Sequence, residues 1–359
     1  MYAAYGVASP FLPGFLAARG VAPGELGLVL ACGTAIRLVA SPLAGRIGDR
    51  LQALRAVLVA CIALGAAAAL GYLPAHGFGA LLGVTLLHAA FLAPMPVLSD
   101  ALALNSSKRG AFEYGWVRGT GSAAFIAGVL ASGQLVNGFG LQAIIVSQAL
   151  LLFAAAGAAS RVPDVPREPA PRTGALLLLK NPQFRSLVLV AALILGSHAM
   201  HDAFAVIRWS AAGIGASTSS LLWSLSVAAE VLVFFVVGPP LIAHLTPRGA
   251  IALAALAGIA RWAVMALTAD VVALALAQPL HGLTFALLHL ACMRLIARTV
   301  PHGLEGTAQA LYATVGIGSA TALFTLTSGF LYQRWGAEAF WIMAALCAAA
   351  LPAALRLRS

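Results

Sequence analysis

The chain has 359 residues, 61% hydrophobic and 9% charged, with a net charge of +10 and a mean hydropathy of +0.96. A soluble domain needs far more polar surface than that, so the sequence belongs to the integral membrane class. The basic residues are spread between apolar segments rather than gathered into a stripe, which excludes nucleic acid as an expected partner.

Twelve apolar segments follow one another: Tyr2–Ala18, Leu26–Ala44, Ala56–Leu73, Phe78–Leu104, Tyr114–Val136, Leu141–Ala159, Phe184–Trp209, Ser217–Ala243, Ala250–Thr268, Val271–Met293, 305–331 and 337–355. Only a helix satisfies its own backbone inside lipid at these lengths. The expectation is an all-α membrane protein with twelve transmembrane helices. Thirty-six glycines suit close helix packing in lipid. The longest connection, rich in Pro and Arg, covers 161–182 and divides the chain into two six-helix bundles, 1–160 and 183–359. Met1 opens directly into an apolar segment without a basic flank, so no cleavable signal peptide is expected. Cys32, Cys61, Cys292 and Cys347 all fall in apolar segments at unrelated spacings, with neither a CxxC pair nor a disulfide framework.

Lys and Arg set the orientation. With both termini cytoplasmic, sixteen of these residues (46, 50, 55, 108, 109, 118, 161, 167, 172, 180, 185, 248, 294, 298, 356 and 358) lie inside or at the inner boundary. Arg19, Arg208 and Arg334 alone lie outside, and Arg37 and Arg261 fall in mid-membrane. The segment Phe184–Trp209 carries His198, His201 and Asp202 at i, i+3 and i+4, on one face. The three could form a second proton site or a substrate-reading group; His198 alone reads rather as a packing histidine, and His201 with Asp202 reads equally as functional or as packing. A metal there is weakly supported, since no third ligand is placed by the spacing.

Glu230, Arg261 and His281 lie near the middle of three successive segments. An unpaired charge at that depth costs about 2.5–3.5 kcal/mol on insertion scales. Three such residues at matched depth are most simply explained by helices that bring them together in a polar cavity. The alternative is an ion pair that only fixes helix packing. Burial disfavours the charged Glu230 carboxylate and Arg261 favours it, and a carboxyl balanced between the two can take up and lose a proton. Gln278, His281 and Thr284, at successive spacings of three, share one face of their own segment.

The stretch Gly45-Arg46-Ile47-Gly48-Asp49-Arg50-Leu51 resembles the Gly-x-x-x-Asp-Arg-x-Gly-Arg signature of the major facilitator superfamily, with Gln52 and Ala53 where Gly and Arg usually follow. Its expected form is a tight turn in the loop after the second segment, with Gly45, Asp49 and Arg50 latching the inner gate. More of the chain resembles the phenylpropionate permease branch of that superfamily: Tyr5-Gly6, Pro96-Val97-Leu98-Ser99-Asp100, Tyr114-Gly115-Trp116-Val117-Arg118, Ala229-Glu230-Val231, Arg261-Trp262, Leu280-His281-Gly282, His289 through Arg294, Ala308 through Tyr312, and Phe340 through Met343.

That resemblance implies the major facilitator fold and proton-linked uptake of a small organic solute by alternating access. The leading expected substrate is an aromatic or aliphatic carboxylate, with a neutral sugar or nucleoside as the rival. Substrate, protons and lipid are then the expected partners, no cofactor and no metal is expected, and the carrier is expected to be monomeric in the cell inner membrane. An intramembrane enzyme is not expected, because no HExxH, GxSxG or paired catalytic aspartates lie in the spans. A non-transporting sensor would carry a soluble output domain, and none is visible in the sequence.

The resemblance also assigns candidate residues. Asp100 and Arg118 come out at similar depth and could neutralise each other when the cavity is empty, either being releasable to a substrate. In sugar symporters of the wider superfamily the matching acid and Arg contact substrate, whereas elsewhere such an acid braces the inner gate. Phe125, two turns beyond Arg118, could stack on a substrate ring or simply pack. Arg37 could attract an anion or pair with an acid. In the more distant lactose–proton symporters the position of Thr284 carries a carboxylate, so coupling here falls more heavily on Glu230. His201 and Asp202 stand where the permease pattern leads one to look for a pair of tyrosines.

Overall fold

The computed structural model describes residues 1–108, 114–163, 175–301 and 304–357. Helices account for nearly all of them, and no strand occurs among the described residues. The candidate latch residue Arg50 and its neighbours are described, whereas residues 164–174 of the expected linker lie outside the described residues.

The first unit, 1–170 with 215–221, contains α1 (Tyr2–Ala8), α2 (Leu12–Ala18), α3 (Pro23–Leu51), α4 (Leu54–Leu70), α5 (Gly77–Leu92), α6 (Pro94–Lys108), α7 (Tyr114–Phe139) and α8 (Gln142–Ala159). The second, 171–214 with 222–359, contains α9 (Ala175–Lys180), α10 (Pro182–Gly196), α11 (His198–Ala211), most of α12 (Ala216–Leu232), α13 (Gly238–His244), α14 (Pro247–Leu267), α15 (Val271–Ala277), α16 (Leu288–Thr299), α17 (Glu305–Leu311), α18 (Ser319–Trp335) and α19 (Phe340–Leu355). Among the described residues nine helical stretches are long and apolar enough to cross a membrane, the last of them the 50-residue passage Gly306–Leu355, which turns at Gly336 with φ +53°.

Three stretches differ from the sequence expectation for local reasons. The first segment is two seven-residue helices rather than one, because Pro10 has no N–H to give the ladder and Ser9 Oγ donates back to the Tyr5 carbonyl at 2.7 Å. The latch stretch Gly45–Leu51 is the last part of α3 and not a loop: the turn is made one residue later by Gln52, at φ +50°, and its side-chain amide donates to the Asp49 carbonyl at 2.7 Å. Helix α3 also begins earlier than expected, at Pro23, where the Glu25 carboxylate accepts the Ala22 N–H at 3.1 Å.

Breaks inside the long spans fall at a proline or at a serine whose side chain competes for a backbone carbonyl. Pro94 separates α5 from α6, and Ser197 separates α10 from α11, its Oγ donating to the Ile194 carbonyl at 2.7 Å. Three π-helical turns, Val233–Val237, Gly282–Leu287 and Tyr312–Gly318, all belong to the second unit. The first runs into Gly238-Pro239-Pro240 and the second follows Pro279, so in both places missing N–H groups disturb the i→i−4 ladder.

In the first unit, α1 lies directly on α7. A Cβ at Gly6 would sit 2.1 Å from the Phe125 carbonyl oxygen, and one at Gly128 would sit 2.2 Å from that of Ala3. Backbone meets backbone there, the small-residue packing that membrane helices use in place of a hydrophobic driving force. Gly119, on the same helix, has nothing within 4 Å of such an atom. Gly128→Ala should therefore destabilise the purified protein by about 1–3 kcal/mol, read as a lower melting temperature in detergent, while Gly119→Ala leaves it equal or higher. Equal behaviour of the two variants would contradict the close α1–α7 contact.

Candidate functional site

In the second unit the sequence supplies one buried guanidinium, three histidines and two carboxylates on neighbouring helices. Arg261, on α14, is completely buried. Its NH1 donates to His281 Nδ1 at 3.0 Å, and its NH2 donates to Gln278 Oε1 at 2.9 Å. The same NH2 is 3.4 Å from His201 Nε2 and 3.5 Å from Ser226 Oγ. Ser226 Oγ in turn donates to Gln278 Oε1 at 2.7 Å. Arg261 Nε has no hydrogen-bond partner among the described residues, and the guanidinium carbon lies 4.6 Å from the centre of the Trp262 ring. A cation stacked on an aromatic face recovers part of its lost hydration.

No carboxylate lies within ion-pair distance of Arg261 among the described residues. Each acid is instead reached through a histidine. His281 Nε2 is 3.4 Å from Glu230 Oε2, and His201 Nδ1 is 3.4 Å from Asp202 Oδ1. A guanidinium can only donate, so each histidine nitrogen facing Arg261 must accept. That assigns the proton of neutral His281 to Nε2, directed at Glu230, and the proton of neutral His201 to Nδ1, directed at Asp202. The arrangement is a chain: Glu230, His281, Arg261, His201, Asp202. Its two ends differ in exposure, the Glu230 side chain being 25% accessible and that of Asp202 61%.

His198 closes the back of the cluster. Thr284 Oγ1 donates to the His281 carbonyl at 3.2 Å and so accepts from His198 Nε2 at 3.0 Å. Where a carboxylate was looked for, the threonine thus fixes a histidine. The break at Ser197 matters to this geometry, because Ser197 Oγ also accepts from Trp262 Nε1 at 2.8 Å and positions the indole beneath Arg261. The break between α10 and α11 is therefore tied directly to the aromatic platform.

The expected residues thus meet, but with His281 inserted between Glu230 and Arg261. Ser226 and Trp262 were missed. Ser226 precedes Glu230 by four residues and shares its helix face, which is a legible signal. Trp262 follows Arg261 directly, and nothing in the sequence marks its stacking.

The first unit holds the other candidates. Arg118 NH1 donates to the Tyr2 hydroxyl at 2.7 Å, with the guanidinium 5.6 Å from the Tyr2 ring centre. No ion pair joins Asp100 to Arg118 among the described residues. The direct neutralisation expected of that pair is not made, and Arg118 is met by a tyrosine instead. Tyr2 was not anticipated, and Tyr5 beside it donates its hydroxyl to the Leu92 carbonyl. Arg37 is exposed on α3 and has neither a hydrogen bond nor an ion pair among the described residues. Phe125 is half-buried, and its carbonyl is the one that abuts Gly6. Among the described residues no three His, Cys, Asp or Glu side chains are gathered so as to hold a metal ion.

The family model described as "MFS_1 like family" matches residues 1–343. The chain belongs to the MFS_1 like family of the major facilitator superfamily. It is 35% identical over 97% of its length to the "Probable 3-phenylpropionic acid transporter" of Escherichia coli (strain K12), covering 92% of that protein. It is 27% identical over 97% of its length to the maltose permease of Geobacillus stearothermophilus, covering 89% of it. The crystal structure of a variant of the nucleoside transporter NupG superposes with a TM-score of 0.90, covering 100% of this chain and 97% of that one at 16% identity. That likeness establishes the fold. The chain is a multi-pass membrane transporter of this superfamily and not an enzyme.

The network makes a direct demand on residue 261. Lysine keeps the charge but cannot serve His281, Gln278 and His201 from one ammonium as a guanidinium does. Arg261→Lys should cost about 1–3 kcal/mol of stability, seen as a lower melting temperature in detergent. A melting temperature equal to the parent's would contradict the network as described.

Proposed function

We propose that the chain is a proton-coupled symporter for a small organic carboxylate, aromatic or aliphatic, working by alternating access. The proposal includes twelve membrane helices, both termini in the cytoplasm, a place in the cell inner membrane and a monomeric state. The single observation that carries the coupling is the chain Glu230–His281–Arg261, in which an acid that can change protonation is connected to a fixed cation by a histidine of defined tautomer. The substrate class is supported by the 35% identical relative, itself named as a probable 3-phenylpropionic acid transporter.

The chemistry assigns each group a part. Arg261 cannot surrender its proton. Protonating His281 at Nδ1 would set two donors face to face across 3.0 Å, so Glu230 is the group that exchanges the proton. Loading Glu230 removes its charge, and the balance of the buried guanidinium then shifts toward His201 and Asp202. That change gives the protonated and deprotonated carrier different internal electrostatics, which any symport cycle requires. Arg118, with Asp100 and Arg37 at hand and Phe125 beyond, is the proposed anchor for the substrate in the first unit. Gly45, Asp49 and Arg50, at the end of α3, are the proposed inner latch.

A second reading, transport of a neutral sugar or nucleoside, draws on the maltose permease relative and on one local feature. Tyr2, Asp100 and Arg118 offer donors and acceptors together, a set that suits hydroxyl groups.

Uptake into proteoliposomes with and without a pH gradient tests both readings across aromatic acids, sugars and nucleosides. Glu230→Gln keeps an amide oxygen for His281 Nε2 and mimics the protonated acid. It should abolish uphill, pH-driven accumulation and retain part of substrate exchange, since exchange does not require the proton to leave. Arg118→Gln should weaken binding of an acid by about 2–3 kcal/mol and affect a sugar much less. Full accumulation by Glu230→Gln would remove it as the coupling residue, and undiminished acid binding by Arg118→Gln would remove the anchor.

A further inference from the structure

The second unit carries an aromatic ladder that begins at the proton-coupling cluster and leads away from it. The Phe285 ring stacks on His281 at 5.5 Å between centroids and 23° between planes, and lies at 6.3 Å and 27° from His198. Phe234 meets Phe285 edge-on at 6.4 Å and 81°, and meets His289 at 5.9 Å and 71°. His289 continues to Tyr312 at 5.6 Å, its Nδ1 3.2 Å from the tyrosine hydroxyl.

Burial differs between rings of the second unit, and Tyr312, at the far end of the ladder, is itself buried. Trp209, Trp262, Phe204 and Phe340 are fully buried and cannot meet a solute without repacking, whereas Phe234, Phe285 and His289 are only half-buried. Phe235, next in sequence, is 56% exposed on the other side of its helix. Both phenylalanines sit on π-helical turns, Phe234 on Val233–Val237 and Phe285 on Gly282–Leu287. Such turns re-aim side chains and recur at functional sites. A Cβ at Gly282 would sit 2.6 Å from the Ala229 carbonyl oxygen, so the two turns are pressed together and their rings held in fixed relation.

We propose that Phe285 and Phe234 form the seat for an aromatic ring of the transported solute, beside the polar edge made by His281 and Glu230. The proposal rests on the reading of the chain as an organic-acid carrier and adds recognition of the solute's ring within the second unit. Rings at 5–6.5 Å in alternating stacked and edge-on geometry accept a further flat ring on the same terms. A saturated ring of equal size gains contact area there but not the quadrupolar fit. That fit corresponds to about a 2- to 12-fold preference.

The test is binding of four probes to the purified full-length protein in detergent: 3-phenylpropionate, 3-cyclohexylpropionate and the two corresponding primary alcohols. The parent should prefer phenyl over cyclohexyl by about 2- to 12-fold. Phe285→Leu should bring that ratio to near one, leaving the preference for acid over alcohol as it was, and Phe285→Tyr should keep the ratio. Because the readout is a ratio within one protein, partial misfolding of a variant does not imitate it. A parent without ring preference, or a Phe285→Leu variant that weakens phenyl and cyclohexyl probes alike, would overturn the seat. If the parent prefers phenyl but binds alcohols and not acids, the carboxylate reading fails and the seat stands. Binding of none of the four probes would overturn both.

Discussion

A completely buried guanidinium with no carboxylate within ion-pair distance among the described residues is the constraint around which the second unit is organised. Arg261 brings five N–H donors into an apolar helix bundle, and four side chains turn an acceptor toward its two terminal nitrogens, while Nε is left without a hydrogen-bond partner among the described residues. Leaving such a charge unsatisfied costs several kcal/mol, so the surrounding helices are held where acceptors can reach. Gln278 and Ser226 supply neutral oxygens, and His281 and His201 supply ring nitrogens. Trp262 supplies an aromatic face. The two carboxylates lie beyond the histidines and are partly exposed, while still within the field of the fixed charge.

This displacement bears on how a carrier of this family can work. A direct Arg–carboxylate pair in a low-dielectric interior is strong and hard to break. Interposing a neutral histidine weakens the attraction through distance and makes it depend on which nitrogen holds the proton. The acid can then lose its charge without leaving the arginine wholly unsatisfied. The proposed coupling uses that property, and the exposed Asp202 on the far arm gives the guanidinium a second partner during the exchange.

Much of this was legible in the sequence, and the failures are specific. The matched depth of Glu230, Arg261 and His281 was readable because a charge in a hydrophobic run is conspicuous and helical rise converts position into depth. Their order was not readable, since depth places residues at a level but does not say which side chain lies between the others. The same limit hid Tyr2, whose hydroxyl accepts from Arg118 where a contact with Asp100 was expected. The latch stretch was misplaced because its glycines suggested a turn, while the residue that takes the left-handed conformation is Gln52. The π turns carry no periodicity of their own; only Pro239, Pro240 and Pro279 hint that the ladder is disturbed there. Phe234 and Phe285 therefore read as ordinary apolar residues in apolar runs, and the aromatic ladder emerged only from the packing.

In the proposed cycle solute and proton cross together, coupled by the Glu230–His281–Arg261 chain. The most direct test is proton movement in the unmodified protein, with no imposed pH gradient. Proteoliposomes loaded with a pH-sensitive dye and given external 3-phenylpropionate should acidify inside as the solute enters, at a rate that saturates with solute concentration and vanishes in protein-free vesicles held impermeable to the free acid. Saturable solute entry with no accompanying acidification would contradict the account.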